Sequence, residues 1–170
     1  YVLTVEKALK LEVPKKAIYL RVLTAELQRI ISHLVWLGTY GLDLGGALGG
    51  GSTLFLYCFR ERELILDLFE ELSGARMMYN FNQIGGLRYQ PPLDFMSQLK
   101  ATLPKLKQAI GDYENMLQEN YLFQVRTKNI GILEASLAQR IGASGPVLRG
   151  SGLAYDIRKA YPYSGYENFE

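Results

Sequence analysis

The sequence predicts a mostly α-helical protein, a bundle of long helices joined by extended loops, with residues 1–170 forming a single helical domain. Three observations carry this. Apolar residues recur in steps of three and four over long stretches, the spacing of one helix face. No segment shows a convincing strand-like alternation, and no internal repeat emerges. With 170 residues, 48% of them hydrophobic, the chain is long enough to bury a real core.

The opening stretch YVLTVEKALKLEV has short helical character and stops at Pro14. A long helix follows, roughly Lys15 to Leu44, with Leu20, Leu23, Leu27, Ile30, Leu34 and Leu37 as its stripe. Between Ile30 and Leu37 the apolar character spreads to Ile31, Val35 and Trp36, which predicts burial on several sides. FLYCFRERELILDLFEELSG reads as a second helix, with Ile65, Leu68, Phe69 and Leu72 inward and Gly74 as its C-terminal cap. GARMMYNFNQIGGLRYQPP reads as an irregular connection. A third long helix starts near Asp94, a suitable N-cap, and repeats Met96, Leu99, Leu103, Leu106, Ile110, Tyr113 and Leu117. Pro104 kinks it or loosens one turn. A short helix covers Glu134 to Ile141, and the tail rich in Gly, Pro and Tyr reads as loop.

Composition removes several classes of function. A net charge of +2, with no basic run interleaved with aromatics, argues against nucleic acid as a partner. The single cysteine, Cys58, rules out an internal disulfide framework and fits a reducing compartment. No apolar run approaches the ~18 residues of a membrane span, and no signal-peptide pattern is present. The chain starts at Tyr1 already in helical pattern, so it reads as the central part of a longer subunit.

Few residues suggest chemistry by themselves. His33 is the only histidine, so a metal site built on several ligands has no support, and a hydrogen-bonded core role is the plainer expectation. Asp43 stands near a helix C-terminus, where the dipole favours cations. It is either a structural polar anchor or a functional carboxylate in need of a cationic partner. The glycine run after it matches neither GxxxxGK[ST] nor GxGxxG and reads as a mobile segment. FRERE and EELSGAR read as a solvated or subunit-facing surface of helical ion pairs, with Asp67, Glu70 and Glu71 an ordinary acidic face. Arg149, Arg158 and Lys159 alternate with Tyr155, Tyr161, Tyr163 and Tyr166, a composition favoured at protein interfaces.

Taken together, YVLTVEKAL, RVLTAELQRIISHLVWLG, LDLG, FRERELILDLFEELSGAR, IGG, GPVLRGSG, YDIRK and YPYSGYE resemble the 49-kDa, or D, subunit of respiratory NADH:quinone oxidoreductase (complex I). The resemblance runs along nearly the whole chain. It implies a hydrogenase-large-subunit-like fold and a peripheral subunit at the cytoplasmic face of the cell membrane. That subunit helps form the quinone chamber of a proton-pumping translocase. Quinone is then the substrate, and the terminal iron–sulfur cluster is carried by a small partner subunit. NADH is used elsewhere in the complex, and this chain binds no cofactor alone and is inactive in isolation.

Residue by residue, the resemblance places Asp43 as the acid that pairs with a quinone-ligating histidine supplied by the rest of the parent subunit. Thr39 and Phe55 fall at chamber-lining positions, Arg76 and Met78 near the cluster, and Arg149, Arg158 and Tyr163 at subunit interfaces. The departures matter too. The family's LDLGAxTPFFYxFRERE becomes LDLGGALGGGSTLFLYCFRERE, several residues longer and without the proline. Met78 replaces a histidine frequent after GAR, and Gln83 an arginine frequent before the glycine pair. The rival readings are the large subunit of a membrane-bound nickel–iron hydrogenase-type complex, whose metal would need cysteine pairs outside these residues, and a non-catalytic helical scaffold.

Overall fold

The computed structural model describes residues 1–45 and 51–169, so the glycine run at 46–50 lies outside the described residues. The fold is mostly α, with eight α-helices and one two-stranded hairpin among the described residues. The chain packs as two compact units, Tyr1–Arg126 and Thr127–Glu170.

The first unit is built on two long helices, α2 (Lys15–Gly45) and α3 (Gly51–Ser73), preceded by the short α1 (Val2–Leu9). Helix α1 ends where Lys10 turns left-handed at φ 52°. The buried seam of α2 is Ala17, Leu20, Thr24, Leu27, Ile31, Leu34, Gly38 and Gly41, a repeat of three and four that keeps one face on its partner. Thr24 is tolerated there because its hydroxyl donates to the Leu20 carbonyl at 3.0 Å. Leu23, Ile30 and Leu37 flank the seam and are only partly buried. The expected burial on several sides does not hold: Trp36 is 59% exposed. His33 is exposed as well, with no hydrogen bond among the described residues, so it is not the core residue its apolar neighbours suggest.

Two glycines set the closeness of α2 and α3. A Cβ on Gly38 would stand 3.3 Å from the Phe55 Cα, and one on Gly41 2.8 Å from a Leu54 methyl. Helix α3 starts four residues before the Phe55 start expected from sequence, since Ser52–Leu56 contains no proline to stop it. Ile65, Leu68, Phe69 and Leu72 are buried as the spacing requires. Gly74, at φ 72°, ends the helix with its N–H on the Glu70 carbonyl at 2.7 Å.

The connection after α3 is less irregular than its sequence suggests. It holds an antiparallel hairpin, β1 (Asn82–Gln83) and β2 (Gly86–Leu87), each strand too short to show alternation. Helix α4 (Phe95–Gln118) buries Phe95, Leu99, Leu106, Ala109 and Tyr113 against the core, and leaves Met96, Leu103 and Ile110 exposed on its flank. Asp94 precedes it but does not cap it: its carboxylate accepts instead from the Gln98 amide at 2.9 Å. The helix continues through Pro104. The short α5 (Tyr121–Thr127), unforeseen in the sequence, follows.

The second unit contains α6 (Ala135–Arg140), α7 (Gly145–Gly150) and α8 (Ile157–Ala160), then a 3₁₀ turn at Tyr166–Asn168. The tail is therefore not plain loop. Pro146 sits in the first turn of α7, where its missing N–H costs nothing, and Asp156 caps α8 by accepting from the Arg158 N–H at 2.9 Å. Ala138, Leu148 and Tyr166 are buried.

Candidate functional site

Asp43 stands on the last turn of α2, exposed to solvent, and makes no hydrogen bond or ion pair among the described residues. Four residues earlier on the same face, Thr39 is exposed too. The Thr39 hydroxyl is committed to its own helix, donating to the Val35 and Trp36 carbonyls at 3.0 Å each. Phe55 faces α2 across Gly38, the neighbour of Thr39, and leans on Phe59 with ring centroids 4.3 Å apart. The structure thus brings Thr39, Asp43 and Phe55 to one end of the α2–α3 seam.

The end of α2 is braced from α5. Trp36 stacks on Tyr40 at 5.1 Å, Tyr40 meets the Phe123 ring edge-on at 6.2 Å, and Arg126 donates to the Leu44 carbonyl. Behind the face, Gly41, Leu44, Leu54, Met116, Leu117 and Phe123 line a cavity of about 10 Å³, room for no more than a water. The open face of α2 is therefore that of Thr39 and Asp43, while Phe55 is half-buried on the other side, against Gly38.

Arg76 and Met78 belong to a different stretch. The Arg76 guanidinium bonds Asp67 at 2.8 Å, Glu70 at 3.2 Å and Glu63, which stand on one face of α3. Those three carboxylates lie two to four turns beyond Phe55, about 12–22 Å along the helix. The acidic face is thus neutralised in part by the arginine of SGAR. Met78 is 94% exposed and left-handed at φ 56°.

In the second unit Arg149 donates to the Tyr155 carbonyl at 3.2 Å, and Arg158 grips Asp156 at 2.7 Å. That grip holds the Asp156 carboxyl well below the usual carboxylate range. Tyr163 rests on Tyr166 at 5.1 Å and remains 44% exposed.

Two buried polar clusters escape a reading of motifs. Glu6 and Arg21, each 5% exposed, form a two-pronged ion pair at 2.7 and 3.0 Å. One Arg21 nitrogen also donates to the carbonyls of Gln83 and Gly86 at 2.8 Å each, while the Gly85 N–H donates to Glu6 at 2.7 Å. The clamp joins α1, α2 and the hairpin turn. Its hydrogen bonds from Arg21 outweigh desolvation and lower the Glu6 carboxyl below its ordinary value. The signal was present: Arg21 is a charge set beside the apolar stripe, and such a charge requires a buried partner.

In the second cluster the Tyr113 hydroxyl donates to the buried Glu61 at 2.8 Å, and Arg60 pairs with that carboxylate at 2.6 Å. Burial, then the bond to Glu61, pushes the Tyr113 phenol far up. Burial first, and Glu61 next, lifts the Cys58 thiol to about 11. Among the described residues no group of three or more His, Cys, Asp or Glu is placed to hold a metal ion, and no helix is long and apolar enough to cross a membrane.

Residues 49–170 match the family model described as respiratory-chain NADH dehydrogenase, 49 Kd subunit. The chain is 50% identical over 99% of its length to one of the NADH-quinone oxidoreductase D subunits of Chloroflexus aurantiacus, of which it covers 40%. It is 48% identical over its whole length to the corresponding D subunit of Desulforamulus reducens, of which it covers 45%. The chain thus spans less than half the length of these curated relatives. One chain in the structure of the membrane-bound sulfane sulfur reductase, an archaeal respiratory membrane complex, matches with a TM-score of 0.89 and 34% identity, over 98% of this chain and 43% of that one.

Proposed function

Because the chain belongs to the 49 kDa subunit family of respiratory-chain NADH dehydrogenases, we propose that it works within a proton-pumping NADH:quinone oxidoreductase, as part of the wall of the quinone chamber. The observation that carries this reading is the exposed carboxylate of Asp43 at the C-terminal end of α2, on one face with the exposed Thr39. A carboxylate there opposes the helix dipole; Arg126 meets the last turn at the Leu44 carbonyl, but no cation pairs with Asp43 itself among the described residues. An imidazole from the remainder of the parent subunit supplies that cation.

The chemistry follows from the pair. Quinone takes up two electrons and two protons to become quinol, so a proton donor must stand beside it. Asp43 raises the proton affinity of the facing imidazole and fixes which ring nitrogen carries the hydrogen. The electrons come from the cluster on the partner subunit, near which Arg76 and Met78 lie. NADH is oxidised elsewhere in the complex. Arg149, Arg158 and Tyr163 belong to interfaces that hold the subunit peripherally at the cytoplasmic face of the membrane, and the isolated chain is inactive.

Asp43→Asn in the assembled complex tests this. Loss of the carboxylate lowers quinone reductase activity about tenfold or more and moves the acid-to-base midpoint of its pH profile downward, because the imidazole loses the charge that favoured its protonation. Unchanged activity with an unchanged profile removes Asp43 from the reaction. A second reading, a respiratory membrane complex of another type, has the sulfane sulfur reductase match in its favour. Cysteine pairs near both ends of the parent polypeptide would support its hydrogenase-type form.

A further inference from the structure

We propose that Trp36 is a stacking platform for the quinone ring, at a station about 10 Å along α2 from Asp43. This rests on the chamber reading above and adds to it a residue that the sequence assigns to the core. Trp36 is the chain's only tryptophan, and it is 59% exposed on the face of α2 turned away from α3. At 100° per residue, Trp36, Thr39 and Asp43 fall within about 60° of one another around the helix. The indole therefore shares the open face with the two chamber candidates.

The geometry is that of a prepared surface. Tyr40 lies almost parallel to the indole, 13° between planes and 5.1 Å between centroids, and is itself held edge-on by Phe123. One side of the indole is thus backed by an aromatic brace anchored in α5, and the exposure of the residue leaves its other side open among the described residues. A flat, uncharged, largely apolar ring is the occupant this surface fits. A protein side chain covering the same face would need no parallel brace and no continuity with a carboxylate two turns on.

Stacking also discriminates by redox state. The indole is electron-rich. A quinone ring, with two carbonyls withdrawing charge, is electron-poor, while the quinol formed from it is electron-rich. The platform therefore holds the oxidised ring better than the reduced one, taking up substrate on the way in and releasing product on the way out. Because it acts on binding away from the reacting atoms, its removal falls on KM rather than on kcat.

The test uses the assembled complex, with a benzoquinone bearing a single isoprene unit as substrate and its quinol as product inhibitor. Trp36→Ala raises KM for the quinone about three- to tenfold, the worth of one aromatic stack. The inhibition constant of the quinol changes less than about twofold on the same basis, and Trp36→Phe restores part of the loss. An unchanged KM, a parallel rise of both constants, or an effect confined to the yield of assembled complex overturns the platform. If Asp43→Asn impairs the reaction while Trp36→Ala leaves KM unmoved, the platform alone is lost. If neither variant has an effect, the chamber reading falls with it.

Discussion

At the scale of single residues, the two buried ionic groups separate stability from chemistry. Glu6 and Arg21 are each closed off from solvent and each is the other's charge partner, so removing one leaves an unpaired charge in the core. Glu6→Gln is expected to destabilise the chain by about 3–5 kcal/mol. The sign with pH is fixed by the direction of the shift. The folded Glu6 carboxyl lies below its ordinary value, so its stabilisation is complete above that value and is lost as the pH falls through the depressed one. Melting temperature followed from neutral pH into acid shows a steep acid limb in the parent chain and a flatter one in Glu6→Gln. Equal limbs in the two proteins would remove Glu6 from the acid sensitivity.

At the scale of elements, α4 raises a question of economy. Pro104 sits ten positions into a continuous helix and is exposed, so its ring does no packing in the core, while the Lys100 carbonyl loses its usual donor. Pro104→Ala should stabilise the chain, by up to the ~3 kcal/mol that separates the two residues in helix interiors, and so raise its melting temperature. A fall in stability would mean that the helix needs its bend. The helices themselves were legible from sequence, because a repeat of three and four leaves few alternatives. Their surroundings were less so. Trp36 and His33 look like core by composition, and only the closeness of α2 and α3, set by Gly38 and Gly41, decides that the opposite face stays open. The start of α3 is misplaced by four residues because a glycine run reads as a stretch that keeps the chain out of helix, whereas Gly51, Ser52, Thr53 and Leu54 are all helical. The clamp on the hairpin was hidden for another reason: its members are separated by long stretches of sequence, and no local pattern links Glu6 to Gly85.

At the scale of the whole molecule, several large apolar side chains stand open. Met78, Leu93, Tyr121 and Tyr161 are all more than 70% exposed, and the second unit has few buried apolar residues. The proposed place of Met78 near the partner subunit's cluster carries a specific consequence. A thioether does not titrate, so on that proposal the cluster changes its reduction potential little with pH. Redox titration of the assembled complex should show a shallow slope, and Met78→His a steeper one. A steep slope in the parent, unaltered by Met78→His, would place the proton-coupled group elsewhere.

The guanidinium of Arg21 also limits how the protein can be rebuilt. It ties the first helix, the second helix and the Gln83–Gly86 turn through one group, and the turn's share of that tether is its backbone alone. A chimera can therefore take the turn from a relative whose backbone follows the same course, whatever its side chains. Glu6 and Arg21 are exchangeable only together, because each is the other's side-chain partner.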